Sequence, residues 1–119
     1  MELLSNSTLH LVLTHSNMAQ ITEITNKWDL VHKFTDQHWK TILVKLLRFN
    51  SDPFYMIEIA RPRWTAEATK HTYPWIIERL GVKASNPNWC SDARNGIYFI
   101  KEYDIALQFY LTFGSETYA

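Results

Sequence analysis

Cys90 is the single thiol of the chain, and it lies in Trp89-Cys90-Ser91-Asp92-Ala93-Arg94, a run that also carries a carboxylate and a guanidinium. A thiol becomes a nucleophile when a neighbouring imidazole or cation lowers its pKa in a partly exposed site. His15 and Arg94 are of the right types to do this, with Asp92 or Arg94 as a further member of the group. Nothing in the sequence fixes them beside Cys90, and no helix N-terminus is assignable there. A small enzyme built on Cys90 and His15 therefore ranks behind a binding role, and no residue is assigned to catalysis. The histidines His10, His15, His32, His38 and His71 include no pair at the i, i+4 spacing that sets two imidazoles on one metal. Their simpler reading is solvated or hydrogen-bonded histidine, so no metal and no cofactor is expected. The three glycines, Gly81, Gly96 and Gly114, stand at the ends of elements and form no phosphate loop.

Two groups of residues suit recognition better than catalysis. Residues 82–95 form a long polar connection, and binding residues concentrate on such segments when a rigid scaffold holds them. Here Trp89 is the candidate aromatic anchor, Asp92 and Arg94 the charged rim, and Asn86-Pro87 the shape of the approach, with His15 at the same end of the fold. The competing reading has Trp89 tucked into the core. The other group is Arg61, Arg63 and Trp64, whose guanidiniums can pair with phosphates while the indole stacks on a base. Against it, Trp64 is equally suited to pack under the helix it precedes, leaving both arginines solvated. Nucleic-acid binding is thus possible but not favoured.

Composition sets the limits. A chain of 119 residues is one domain, 1–119, and buries about two thirds of its unfolded surface without disulfides. Twelve basic and twelve acidic residues cancel, so no whole-molecule field draws the chain to nucleic acid or to an anionic membrane. Met1-Glu2-Leu3-Leu4-Ser5-Asn6 lacks the start of a signal peptide, and no apolar stretch reaches the length of a membrane span. With one cysteine, the expected location is the cytoplasm.

The elements that must position these residues follow from periodicity. Leu9, Leu11 and Leu13 alternate as in a strand. Met18, Ile21, Trp28 and Val31 recur at helical spacing, which predicts a helix over residues 17–33. Residues 36–48 are ambiguous: Trp39, Ile42, Leu43, Leu46 and Leu47 fit a helix capped by Thr35, whereas Ile42, Val44 and Leu46 alternate as a strand. The turn cluster Asn50-Ser51-Asp52-Pro53, followed by the β-formers of residues 54–60, favours a hairpin and hence the strand. Thr65 caps a further helix toward Leu80, interrupted by Pro74 and stopped by Gly81. Asn95-Gly96 turns the chain into a strand at residues 97–100. A last helix carries Tyr103, Ala106, Phe109, Tyr110 and Phe113 on one face, and Gly114 is its expected left-handed cap.

This order predicts an α+β domain, a ferredoxin-like βαββαβ antiparallel sheet with an additional C-terminal helix. One sheet face, with Ile57, Ile59, Ile97 and Phe99, would meet the two crossover helices. The other, with Leu43, Leu47, Met56, Tyr98 and Ile100, would lie under the C-terminal helix. That cover removes the open sheet face on which RNA-recognition domains stack bases. If it were absent, the exposed apolar face would require a homodimer, so the expected state is a monomer or homodimer.

Trp75-Ile76-Ile77-Glu78-Arg79-Leu80-Gly81, a tryptophan-bearing loop, Gly96-Ile97-Tyr98-Phe99-Ile100-Lys101 and the helix through Asp104-Ile105-Ala106-Leu107-Gln108-Phe109 to Phe113-Gly114 together resemble small uncharacterised proteins of tailed phages and marine viruses. The resemblance spans the C-terminal third. It implies a virus-encoded accessory or inhibitory protein that binds a host or viral protein, acts in the host cytoplasm, and carries over no catalytic residue. The sequence therefore leads to a non-enzymatic binding protein docking a macromolecular partner through residues 82–95.

Overall fold

The structure is a computed structural model and describes residues 19–49, 52–59 and 66–114. The strand expected at residues 9–14 lies outside them. Strand β1 is Ala19–Ile24, a 3-10 helix follows at Lys27–Lys33, and helix α1 is Asp36–Leu46. Then come β2 (Phe54–Ile59), α2 (Ala66–Leu80), β3 (Trp89–Asp92), β4 (Ile97–Ile100) and α3 (Tyr103–Phe113).

Two early expectations are corrected. The helix expected over 17–33 is a strand and a 3-10 helix. Ile21, Thr22 and Ile24 are β-branched and stiff at χ1, which favours the pleated sheet, and the alternation buries Ala19 and Ile21 on one face and Ile24 on the other. Asn26 ends the strand, its Oδ1 accepting from the Trp28 amide at 3.0 Å to start the 3-10 turns. The strand preferred over 36–48 is helix α1. Thr35 Oγ1 accepts from the His38 amide at 3.2 Å, Asp36 stands in the first turn and Lys45 in the last, as the helix dipole favours. Trp39, Ile42 and Leu46 form its buried stripe.

The described sheet has the order β1-β2-β4-β3, every neighbouring pair antiparallel. Strands β2 and β3 are therefore parallel, joined by α2, with β4 inserted between them. Register assigns the faces: Ile57 lies opposite Tyr98, and Met56 opposite Phe99. Ile57, Ile59, Tyr98 and Ile100 pack under α2 and α3, whereas Phe54, Met56, Ile97 and Phe99 pack under α1 and the 3-10 helix. The expected grouping of Ile57 with Ile97 and Phe99 was one residue out of register in β4, and one residue exchanges the faces. The C-terminal helix consequently shares its face with α2, and α1 supplies the opposite cover.

Helix α3 is the expected aromatic helix. Phe109 is fully buried, with ring centroids 4.7 Å from Tyr98, 4.9 Å from Phe113 and 5.7 Å from Trp75. Gly114 is not a left-handed cap, because its φ is −65°. Its value is space: an added Cβ would lie 2.5 Å from the Tyr110 carbonyl oxygen and 3.2 Å from Ala19 Cβ. Helix α2 runs through Pro74, and Gly81 closes it at φ +93°, a conformation that suits glycine. Glu58 lies on interior strand β2 and pairs with Lys33 at 2.7 Å.

Candidate functional site

Residues 82–95 are held from within. Trp89 is wholly buried, and its indole N–H donates to the Gly81 carbonyl at 2.9 Å. The Asn86 side-chain amide donates to the Leu80 and Val82 carbonyls, each at 2.8 Å, and its Oδ1 accepts from the Asn88 amide at 2.7 Å. Three of these bonds take up the last carbonyl of α2 and those of the two residues that follow it. Trp89 is therefore a core residue and Asn86 a buried clamp, and neither offers a partner the contact expected of it. The end of the segment is also more ordered than a loop, since Trp89–Asp92 pairs with β4 and Ala93–Asn95 forms a 3-10 turn closed by Gly96.

Along β3, alternate side chains reach opposite helices. Ser91, fully buried, faces α2, where its Oγ lies 2.9 Å from the Tyr73 hydroxyl. Asp92 faces α1, where its Oδ2 lies 2.9 Å from His38 Nε2 and accepts from Asn95 Nδ2 at 2.9 Å. The Ser91 carbonyl accepts from Lys45 Nζ at 2.7 Å, which occupies one acceptor of that strand with a lysine. Lys83 Nζ donates to the Tyr73 hydroxyl at 3.3 Å, and Arg48 Nη1 donates to the Lys83 carbonyl at 3.2 Å.

Together these groups line an open cleft of about 500 Å³ between α1, Tyr73 and residues 91–95. His38, Thr41 and Lys45 contribute one stripe of α1. Lys83 and Arg94 add two further cations. Of the partner-binding residues expected from sequence, the cleft brings together Asp92 and Arg94, with Arg94 exposed. His15 lies outside the described residues, as do Arg61, Arg63 and Trp64. The sequence reading missed Lys45, Lys83, Tyr73, Ser91 and His38. Their signal was available: a helix over 36–46 puts His38, Thr41 and Lys45 at spacings of three and four beside the core stripe Trp39, Ile42 and Leu46.

Cys90 faces the α1 side of the core and is fully buried. Burial pushes its thiol up to about 12, against the opposing pull of Arg48, Lys45 and Lys83. A thiol so protonated and enclosed does not act as a nucleophile at neutral pH. Among the described residues, no group of three or more His, Cys, Asp or Glu side chains could hold a metal ion, and no helix is long and apolar enough to cross a membrane. In comparison with known proteins, the chain matches no family, no curated protein and no solved structure.

Proposed function

We propose that the chain is a non-enzymatic binding protein that docks a protein partner through the cleft bordered by residues 82–95 and α1. The observation that carries this reading is the internal clamping of that segment by Trp89 and Asn86, which holds Lys83, Asp92 and Arg94 on a rigid support. A preorganised surface loses little entropy on association. The surplus of cations there suits a partner that presents an acidic group. An accessory or inhibitory role, viral origin and action in the host cytoplasm are parts of the same proposal, and they rest on the resemblance of the C-terminal third.

The test is capture followed by titration. A photo-cross-linker placed at position 84, beside the cleft, should trap a partner. The purified partner should then bind the parent protein and lose at least about tenfold in affinity to Arg94→Glu and Lys83→Glu, a change of about 1.4 kcal/mol. Equal binding by parent and both variants, with unaltered thermal unfolding, would refute docking at this cleft.

We further infer that the sheet is a ferredoxin-like sheet begun with its closing strand. From β2 onward the chain runs β2, α2, β3, β4, α3, and β1 occupies the neighbouring place that a last strand after α3 would fill. The approach of Gly114 to Ala19 puts the end of α3 beside the start of β1. A circular permutant that joins these two points and opens the chain between α1 and β2 should fold with the parent circular-dichroism spectrum, and failure of several linker lengths would count against the inference.

A further inference from the structure

The Lys45 and Lys83 ammonium groups converge on Ser91 from two sides, one through its carbonyl and the other through the Tyr73 hydroxyl bonded to Ser91 Oγ. Their bonds run to neutral oxygens. Neither ammonium group pairs with a carboxylate among the described residues, and the one carboxylate in the cleft, Asp92, is turned to His38 and Asn95. With Arg94 the cleft holds three cations and one anion, an excess of two positive charges in a chain whose total is zero. Like charges gathered without a counter-ion repel one another, and an anion seated between them reverses the sign of that interaction. Lys45 and Lys83 both lie near enough to the Cys90 thiol to oppose the effect of its burial.

We propose that this cleft binds a phosphoryl monoester, with Lys45, Lys83 and Arg94 meeting its terminal oxygens. The inference rests on the docking reading above and names the chemical group recognised. Charge and donor count favour phosphoryl over a carboxylate, and the volume admits it. Its charge of about −1.5 to −2 matches the excess of two, which a carboxylate would half satisfy. Each lysine keeps two N–H donors after the bond it already makes, and Arg94 has its whole guanidinium, enough for three terminal oxygens. The volume lies within the roughly 300–1,000 Å³ of small-ligand sites. A nucleic-acid strand is disfavoured because its bases would need aromatic faces. The rings lining the cleft are those of Tyr73 and His38, and both are engaged: Tyr73 packs edge-on with Trp89 and Tyr98, and His38 packs edge-on with Phe34 and meets Asp92.

The experiment is a titration of isotope-labelled protein followed through its backbone amide resonances. The probes are inorganic phosphate, a short neutral peptide containing phosphoserine, the same peptide unphosphorylated, and oligothymidylate. Phosphate and phosphopeptide should move the amides of Lys83 and residues 91–95, and Lys45→Gln and Lys83→Gln should each weaken binding roughly tenfold. Lys45→Arg should recover most of the loss, which separates charge from folding. Phosphopeptide at least tenfold tighter than phosphate would place the group on a protein partner, whereas equal affinities would indicate a free phosphorylated small molecule, and either result upholds the site. Unmoved cleft amides, undiminished binding by both glutamine variants, equal binding of the unphosphorylated peptide, or a response to oligothymidylate alone would overturn it. Partner capture lost in Arg94→Glu with no phosphoryl response would remove this inference and leave docking standing, and phosphoryl binding with capture unaffected would do the reverse.

Discussion

The Thr72 hydroxyl and the Tyr98 hydroxyl lie 2.9 Å apart in the interior, tying α2 to the interior strand β4 at a point where both residues are fully buried. A hydroxyl taken out of water is costly unless it is hydrogen-bonded. Tyr98→Phe deprives Thr72 of this partner and should lower unfolding free energy by about 1–3 kcal/mol. Thr72→Val combined with Tyr98→Phe should cost less than the two single changes added together, because no hydroxyl of the pair is then stranded. Denaturant melts of the four proteins give the coupling directly, and strict additivity would show that the pair contributes nothing as a pair.

Phe109 offers the sharpest test of the core beneath α3. Its ring touches Tyr98, Trp75 and Phe113 and has no exposed surface. Phe109→Ala should cost about 3–5 kcal/mol through lost burial and the cavity left behind. Leu111 on the same helix is 61% exposed, and Leu111→Ala should fall within about 0.5 kcal/mol of the parent. Similar losses at the two positions in urea unfolding would contradict the assigned orientation of the helix.

From Asn95 onward the elements were legible because local and global signals agree there, whereas β3 at Trp89–Asp92 was read as part of a loop. Asn95-Gly96 makes the turn, with Gly96 at φ +71°, and the change from a short β run to the aromatic stripe of Tyr103, Ala106, Phe109, Tyr110 and Phe113 marks β4 and α3. Residues 36–46 were misread because their apolar positions satisfy both periods, and the turn cluster that follows suits a helix-to-strand connection as well as a hairpin. That error hid the cleft, since His38 and Lys45 share a face with the site only on a helix. Trp89 and Asn86 were misplaced for another reason. Polarity around an aromatic residue does not reveal that the Gly81 carbonyl waits for its indole, or that three backbone groups surround the Asn86 amide.

That clamp predicts a local effect. Asn86→Ala removes three hydrogen bonds at a buried position and leaves the Leu80 and Val82 carbonyls without this donor. The expected cost is about 1–3 kcal/mol. Its distribution is the informative part: amide exchange should accelerate at residues 81–88 while β2 and β4 keep their protection. Uniform acceleration through the whole sheet would mean that the segment has no local unfolding of its own.

Cys90 connects the absence of thiol chemistry with a pH dependence whose sign is fixed. Its thiol is pushed from 9.0 to about 12 by burial, so the folded state retains a proton that the unfolded chain releases. For a group that is neutral when protonated, a raised folded pKa gives stability that is fully present below about pH 9 and lost as pH rises from 9 toward 12. Unfolding free energy should therefore be insensitive to this residue between pH 6 and 8 and decline above about pH 9. Cys90→Ala should show a shallower decline in that upper range, whatever its own constant cost from lost packing. Alkylation belongs to the same account: in the native protein at pH 7 it should proceed at the rate of unfolding or local opening, and should become fast in denaturant. Rapid modification of the folded chain at neutral pH, or parallel alkaline slopes for parent and Cys90→Ala, would show that the thiol is neither enclosed nor held protonated.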